Sequence, residues 1–360
     1  MKYNDLKKAF HNPEAIDRSA PFWSWNAVMN PDEVKRQAHD MIENGMGGYF
    51  MHSRVGLESE YLGEEWMDSV QACVDQAAED ETFAWLYDED RWPSGAAGGL
   101  VTCIKDNGGK GLSAHISDSR HMDGEILFLY EVDFNGEVLS DYRLLEAGEE
   151  SGTGRYLHIR LDYLPPLGWF NNTPPADNIN RNTVKKFIET SYEPYRERFG
   201  KHFGKEIPGI FTDEPNIASS TNDYGDGHVH FAYTYDYPMF FKERRGYDFA
   251  AIIPALFYEN NQSKKARHDY FRTLGQMFAE NYSKQLYEWC EDNNLLFTGH
   301  WLAEDRMGSH ILLSGGIMLN YLYQHIPGID MLRDQTIEFM TIKGCTSVAN
   351  QTGRKRSLTE

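Results

Sequence analysis

Gly209-Ile210-Phe211-Thr212-Asp213-Glu214-Pro215 is a short apolar run that stops on two adjacent carboxylates and a proline. It reads as a buried strand that carries charge to its own C-terminal end. In a (β/α)8 barrel that end faces the active site. A Glu held there, partly out of water, is a group whose pKa can rise until it works as a general acid.

Working outward, the same strand-then-polar pattern repeats. Pro21-Phe22-Trp23-Ser24-Trp25-Asn26 comes first. The spacing then predicts a helix, with Asn30 as N-cap, Pro31 at N1, Glu33 as a capping-box partner, and Val34, Ala38, Met41 and Ile42 on one face. Gly45 suits its end. Gly48-Tyr49-Phe50-Met51 ends in His52-Ser53-Arg54, and a second helix near Glu64 puts Trp66, Val70, Cys73, Val74 and Ala77 on one stripe. Phe83 to Tyr87 ends in Asp88-Glu89-Asp90-Arg91-Trp92. Three strand–helix units in series imply a parallel sheet.

From about Lys110 to Pro166 the period changes. Ile126 to Val132 and Phe134 to Val138 read as a hairpin with an Asn-Gly turn, and Tyr156 to Leu161 alternates like another strand. This is a small antiparallel insertion after strand 3. The α/β pattern resumes with Val184, Phe187, Ile188, Tyr195 and Phe199 on a helix that Pro194 breaks or kinks. After the opening strand come a helix near Arg267 to Asp292, a strand Leu295 to Gly299 ending in His300-Trp301, a segment around Tyr321 to Ile329 carrying His325, and Lys355 to Glu360. The expectation is an α/β chain with a (β/α)8 TIM-type barrel truncated before its eighth strand. Residues 1–109 hold strands 1–3, 110–166 the β insertion, and 167–360 strands 4–7.

Composition narrows the partners. Acids outnumber bases 55 to 35, a formal net charge of −20. That disfavours nucleic acid and anionic membranes, whose phosphates need a basic footprint. An oligo- or polysaccharide is compatible, and aromatics at 14% suit stacking on sugar rings. Cys73, Cys103, Cys290 and Cys345 form no CxxC pair and read as buried free thiols of a reduced compartment. The N-terminus shows no apolar leader, and no stretch approaches the ~18 apolar residues of a membrane span, so a soluble, cytoplasmic protein is expected.

In a barrel the strand ends Trp25-Asn26, His52 with Arg54, Asp88-Glu89-Asp90, Asp213-Glu214, His300-Trp301 with Glu304, and Glu360 converge on one face. Glycosidic cleavage needs two carboxyl groups flanking the bond. Glu214 is the candidate acid and Glu360 the candidate second carboxylate. Asp213 points the opposite way from Glu214 if strand geometry persists, which makes it a structural acceptor or a substrate contact. Trp92, His325 and the other strand-end residues complete the candidate substrate-binding set. The acids at 88–90 could hold sugar hydroxyls, pair with Arg91, or bind Ca2+ through oxygen. His52, His300 and His325 suggest a zinc site, but no HxH or HExxH pairing is read in the chain, which disfavours a metal-dependent hydrolase. No cofactor is required by this reading.

The blocks Pro21 to Asn26, Gly47 to Leu57, Tyr61 to Trp66, Leu86 to Gly95 and Gly209 to Pro215 occur together in this order. In them the chain resembles the bacterial glycoside hydrolases related to family 106, the alpha-L-rhamnosidase-like proteins. The resemblance implies a catalytic barrel that continues into β-sandwich domains, a Glu pair as acid and base, an inverting outcome and, in some relatives, a bound calcium. Carried over, Glu214 is the acid and Lys355 to Glu360 the strand presenting the second Glu. The alternatives are a retaining glycosidase with Glu360 as nucleophile, and a carbohydrate-binding barrel without catalysis that keeps Trp25, Trp92 and Trp301.

Overall fold

The computed structural model describes residues 3–217, 227–331 and 339–360. In chain order its strands are β1 Phe22–Trp25, β2 Gly48–Ser53, β3 Phe83–Tyr87, β4 Lys110–Ser117, β5 Glu125–Asn135 and β6 Val138–Leu144. They continue with β7 Tyr156–Tyr163, β8 Gly209–Thr212, β9 Phe231–Ala232, β10 Leu296–Gly299, β11 Ile326–Ile329 and β12 Leu358–Thr359.

Seven strands form one sheet in the order β1-β2-β3-β8-β10-β11-β12. Every pair in it is parallel. The sheet is curled. Phe22 of β1 and Phe211 of β8 lie three strands apart, about 14 Å in a flat sheet, yet their rings meet at 5.0 Å. The sequence leads to a (β/α)8 barrel short of its last strand; the structure supports a narrower statement. Among the described residues β12 and β1 share no ladder. The architecture is a seven-stranded half-barrel with a separate antiparallel sheet.

Period-two alternation sorts the strands' side chains. Phe50, Trp85, Tyr87, Phe211 and Ile326 cluster inside the curl, with Phe22, Leu296 and Leu358 packed on them. This is an apolar floor. Further along the same inward face, two residues on in β1, β2, β3, β8 and β12 and four on in β10 and β11, lie Ser24, His52, Tyr87, Asp213, His300, Asp330 and Glu360. The outward residues Tyr49, Ala84, Leu86, Ile210 and Phe297 join the main core under the helices.

The flanking helices follow local rules. Asn30 caps Pro31–Glu43, its side chain accepting from the Asp32 and Glu33 amides at 3.0 and 3.1 Å. The expected capping box is not made: the Glu33 carboxylate takes Arg36 and Gln37 instead. Glu64–Glu79 buries Trp66, Val70, Cys73, Val74 and Ala77, as its spacing predicts. The expected break at Pro194 is a π turn, Ile188–Tyr192, between Arg181–Phe187 and Glu193–Phe199. Pro194 has no N–H to give the preceding turn.

The second sheet has the order β6-β5-β7-β4-β9 and is antiparallel throughout. Gly136 turns the β5–β6 hairpin at φ 65°. Four of its strands lie in the 110–166 insertion; the fifth, β9, comes from the excursion after β8. Cys103 is exposed, whereas Cys73, Cys290 and Cys345 are buried, and all four are free thiols. Among the described residues no helix is long and apolar enough to cross a membrane.

Candidate active site

The polar layer above the floor is held together by a chain of hydrogen bonds across four strands. The Tyr87 hydroxyl at the end of β3 donates to Asp213 Oδ2 at 2.7 Å. Asp213 Oδ1 lies 3.1 Å from His300 Nε2, just beyond β10. The same Nε2 lies 2.7 Å from Glu360 Oε2, just beyond β12. The Asp213 amide donates to Ser94 Oγ at 2.8 Å, and the Ser94 hydroxyl in turn donates to Asp88 Oδ1 at 2.6 Å.

Alternation would send Asp213 and Glu214 to opposite sides. Asp213 is the inward residue, continuing from Phe211. Glu214 then takes a left-handed backbone, φ 46°, which ends the alternation. Its carbonyl accepts from Asn216 Nδ2 at 3.0 Å, and the Asn216 carbonyl accepts from Asn178 at 3.1 Å. The turn brings both consecutive carboxylates to His300: ligand atoms of Glu214, His300 and Asp330 lie within 4.8 Å of one another, as do those of Asp213, His300 and Glu360.

The electrostatics separate these groups. Burial pushes Glu214 up to about 7; His300 opposes the rise, and Asp213, Asp330 and Glu360 add to it. Burial likewise lifts Asp330 to about 6 and Glu304 to about 7, against His300 in both cases. Asp213 goes the other way. Burial opposes its charge, but hydrogen bonds from His300 and Tyr87 outweigh that and lower its pKa. Burial also opposes the His300 imidazolium, and the hydrogen bonds to Asp213 and Glu360 overcome it and raise its pKa well above 6.5.

His52 also faces inward, between the rings of Phe22 and Tyr87 at 4.2 and 4.1 Å. It is fully buried, and neither ring nitrogen has a hydrogen-bond partner among the described residues. Burial depresses its pKa to about 3. Ser53 Oγ donates to Asp90 Oδ1 at 2.5 Å, Asn171 donates to the Asp90 carbonyl at 2.6 Å, and the Arg54 guanidinium lies 4.0 Å over the Trp92 ring. Asn26 is exposed at the same end of the sheet.

Other residues singled out from the sequence sit elsewhere, and parity explains most of them. Trp25 and Trp301 face outward and are 2% and 0% exposed, packed against Trp66 and against Phe278 and Tyr282. They offer no face to a sugar. Asp88 also turns outward and accepts from Ser94 and from Tyr192 at 2.7 Å. Glu89 accepts from the backbone amides of Asp90, Gly95, Ala96, Ala97 and Gly98, which makes it the organiser of its loop. Glu304 is buried, accepting from Tyr321 at 2.8 Å and the Asp330 amide at 2.5 Å. His325 precedes β11, at the opposite end of the sheet, where its Nδ1 accepts from the Phe297 amide at 3.0 Å and its ring stacks on Tyr287.

Two residues escaped the sequence reading. Asp330 directly follows β11, as Asp213 follows β8, and its Oδ1 is buried without a partner among the described residues. Tyr87 closes β3 facing inward. An HxH pair is also present at His228-Val229-His230. It lies beside β9, where His228 meets the His115 ring at 4.3 Å and His230 lies 3.4 Å from Asp162. Among the described residues it forms no trio of metal-ligand spacing.

Calcium takes roughly six to eight oxygen ligands. The two trios around His300 each spend a position on nitrogen, and the oxygens of Asp88 and Glu89 are already engaged by hydroxyls and amides. Neither donor set fits that ion well. A cavity of about 430 Å³ opens at the amino-terminal side of the sheet, lined by Phe22, Phe50, Trp85, Phe211, Ile326 and Leu358. It lies under the floor and does not include Asp213, Glu214 or His300, although Glu360 at the end of β12 also lines it.

A family profile described as alpha-L-rhamnosidase matches residues 172–323. Among solved structures, the chain is similar to a rhamnosidase from Novosphingobium sp. PP1Y with a TM-score of 0.69 at 13% identity, over 99% of this chain and 53% of that one. The chain therefore spans about half the length of that enzyme, and the likeness shows a shared fold. The catalytic domain of a beta-amylase from Paenibacillus polymyxa matches at a TM-score of 0.35 and 9% identity, over 95% of this chain and 93% of that one. No curated protein matches. The chain is thus similar to alpha-L-rhamnosidases, in sequence over residues 172–323 and in fold over nearly its whole length.

Proposed function

We propose that the carboxyl end of the curled sheet hydrolyses a glycosidic bond of an α-L-rhamnoside or a related sugar, with Glu214 as general acid and Glu360 as general base. The observation that supports this most is that two glutamates approach one imidazole in unlike surroundings. Glu214 is buried near the carboxylates of Asp213, Asp330 and Glu360, and its pKa is pushed up to about 7. Glu360 is hydrogen-bonded to His300. One carboxyl keeps its proton near neutrality while the other is held by an imidazole, which suits the division of labour that hydrolysis needs.

Glu214 gives its proton to the glycosidic oxygen as the C–O bond to the anomeric carbon breaks. Glu360 takes a proton from the water whose oxygen bonds to that carbon on the opposite face. Glu214 ends ionised and Glu360 protonated, and exchange with solvent resets both. Attack on the opposite face inverts the anomeric centre. Asp90 and the Arg54–Trp92 pair stand at the same end to meet sugar hydroxyls and ring faces.

The test is hydrolysis of an aryl α-L-rhamnoside beside a panel of other aryl glycosides, with the first-formed anomer read by NMR. Turnover of the rhamnoside to the β anomer is expected. Glycan binding that survives in both Glu214→Gln and Glu360→Gln, with no turnover of any glycoside by the unaltered protein, would overturn the reading in favour of a binding module.

A further inference from the structure

The polar layer contains one cation-capable group that touches two acids at once. His300 is 1% exposed, and its Nε2 lies 2.7 Å from Glu360 and 3.1 Å from Asp213. The Asp213 end is fixed: Tyr87 donates to it, and its strand is tied to Ser94 by the Ser94 amide donating to the Asp213 carbonyl at 2.8 Å. The Glu360 end is less enclosed: its side chain keeps 18% of its surface exposed. Its backbone amide donates to the Ile329 carbonyl at 2.9 Å, which places the Cα but leaves the carboxyl free to rotate.

We propose that His300 is a positioning residue for this hydrolysis: anchored through Asp213 and Tyr87, it holds the Glu360 carboxylate inward, toward the space that Glu214 faces. This rests on the hydrolytic reading of the same site. The chain Tyr87–Asp213–His300–Glu360 ties the Glu360 carboxyl to β3 and β8. The carboxyls of Asp213, Glu214, Glu304, Asp330 and Glu360 all face His300, and the imidazoles of His300 and His52 face the same inner layer. Without the imidazole, Glu360 would have no side-chain donor among the described residues to orient it and would turn to solvent, away from the other acids.

Two measurements test this. The first needs no activity. With ¹⁵N-labelled histidine, His300 in the unaltered protein should stay doubly protonated at pH 7, and Glu360→Gln and Asp213→Asn should each weaken its proton affinity tenfold or more. Unchanged His300 signals in both variants would overturn the clamp even if the protein proves a glycosidase. The second is kinetic. His300→Ala should lower kcat by about a hundredfold with KM little changed, while His300→Gln, which restores an N–H near the Nε2 position, should recover about a tenth or more of kcat. Equal losses in both folded variants, or a loss confined to KM, would contradict the assignment. If no glycoside is turned over at all, the hydrolytic reading fails on its own, and the histidine signals still decide the clamp.

Discussion

Two groups of buried acids stand at neighbouring strand ends and differ in what surrounds them. After β3, Glu89 is met by five backbone amides and Asp88 by two hydroxyls. After β8 and β11, Glu214 faces His300 and other carboxylates, and Asp330 Oδ1 has no partner among the described residues. Burial raises the pKa in both groups, to about 7 for Asp88, about 8 for Glu89, about 7 for Glu214 and about 6 for Asp330. Burial alone therefore does not mark chemistry; the donors do. Five N–H groups aimed at Glu89 can all be used only by a carboxylate, so we read it as ionised and structural despite its burial. Glu214, with acids about it, keeps its proton.

The largest effect that could break this contrast is on rate. Glu214→Gln should lower kcat by about a hundred- to ten-thousandfold, the range for losing an acid–base group, with folding stability no worse. A variant that unfolds with activity unchanged per folded molecule would reverse the contrast. Glu89→Gln should do the opposite, destabilising the fold by about 3 kcal/mol because a carboxamide NH2 confronts amide donors in a buried nest. Chemical denaturation reads it. If Glu89 were a neutral acid, Gln would be nearly isosteric and the midpoint would barely move.

A third effect is a slope against pH. Glu214 has a folded pKa above its ordinary 4.5, so the folded state binds the proton more tightly than the unfolded chain. That stabilisation is complete below about 4.5 and is lost as pH rises toward 7. Asp330 and Glu304 contribute in the same direction. Stability should fall with pH across this window, and Glu214→Gln should flatten the fall; an unchanged slope would mean that Glu214 is ionised. The smallest effect is Asp330→Asn, which should leave stability within about 0.5 kcal/mol, since no hydrogen bond to Oδ1 is lost, while turnover drops about tenfold. A large loss of stability would show that Asp330 belongs with Glu89.

Much of the site was legible because strands announce their inner face by alternation. Phe211 and Asp213, and Leu358 and Glu360, are pairs two apart on one face, and the apolar runs that end in Asp213-Glu214 and His300 are plain in the sequence. The same parity places Trp25, Asp88 and Trp301 outward, a step the sequence reading did not take. It also reaches Asp330, one residue past the segment that was read as ending at Ile329. His325 was misplaced because a polar residue beside a strand does not say which end it marks. Other features were not legible at all. The left-handed turn at Glu214, which overrides alternation, depends on Asn216 and Asn178 in the folded chain. The five-amide nest around Glu89 exists only once residues 95–98 wrap it. β9 has two residues and pairs with a strand more than a hundred positions earlier.

The account's central claim is that Glu214 delivers a proton to the leaving group. The direct measurement compares Glu214→Gln with the unaltered protein on two α-L-rhamnosides, one with an alkyl leaving group and one with dinitrophenolate, which departs without protonation. The account predicts a loss of about a hundredfold or more on the alkyl glycoside and a loss of less than about tenfold on the dinitrophenyl one. Equal losses on both substrates, or none on either, would contradict it.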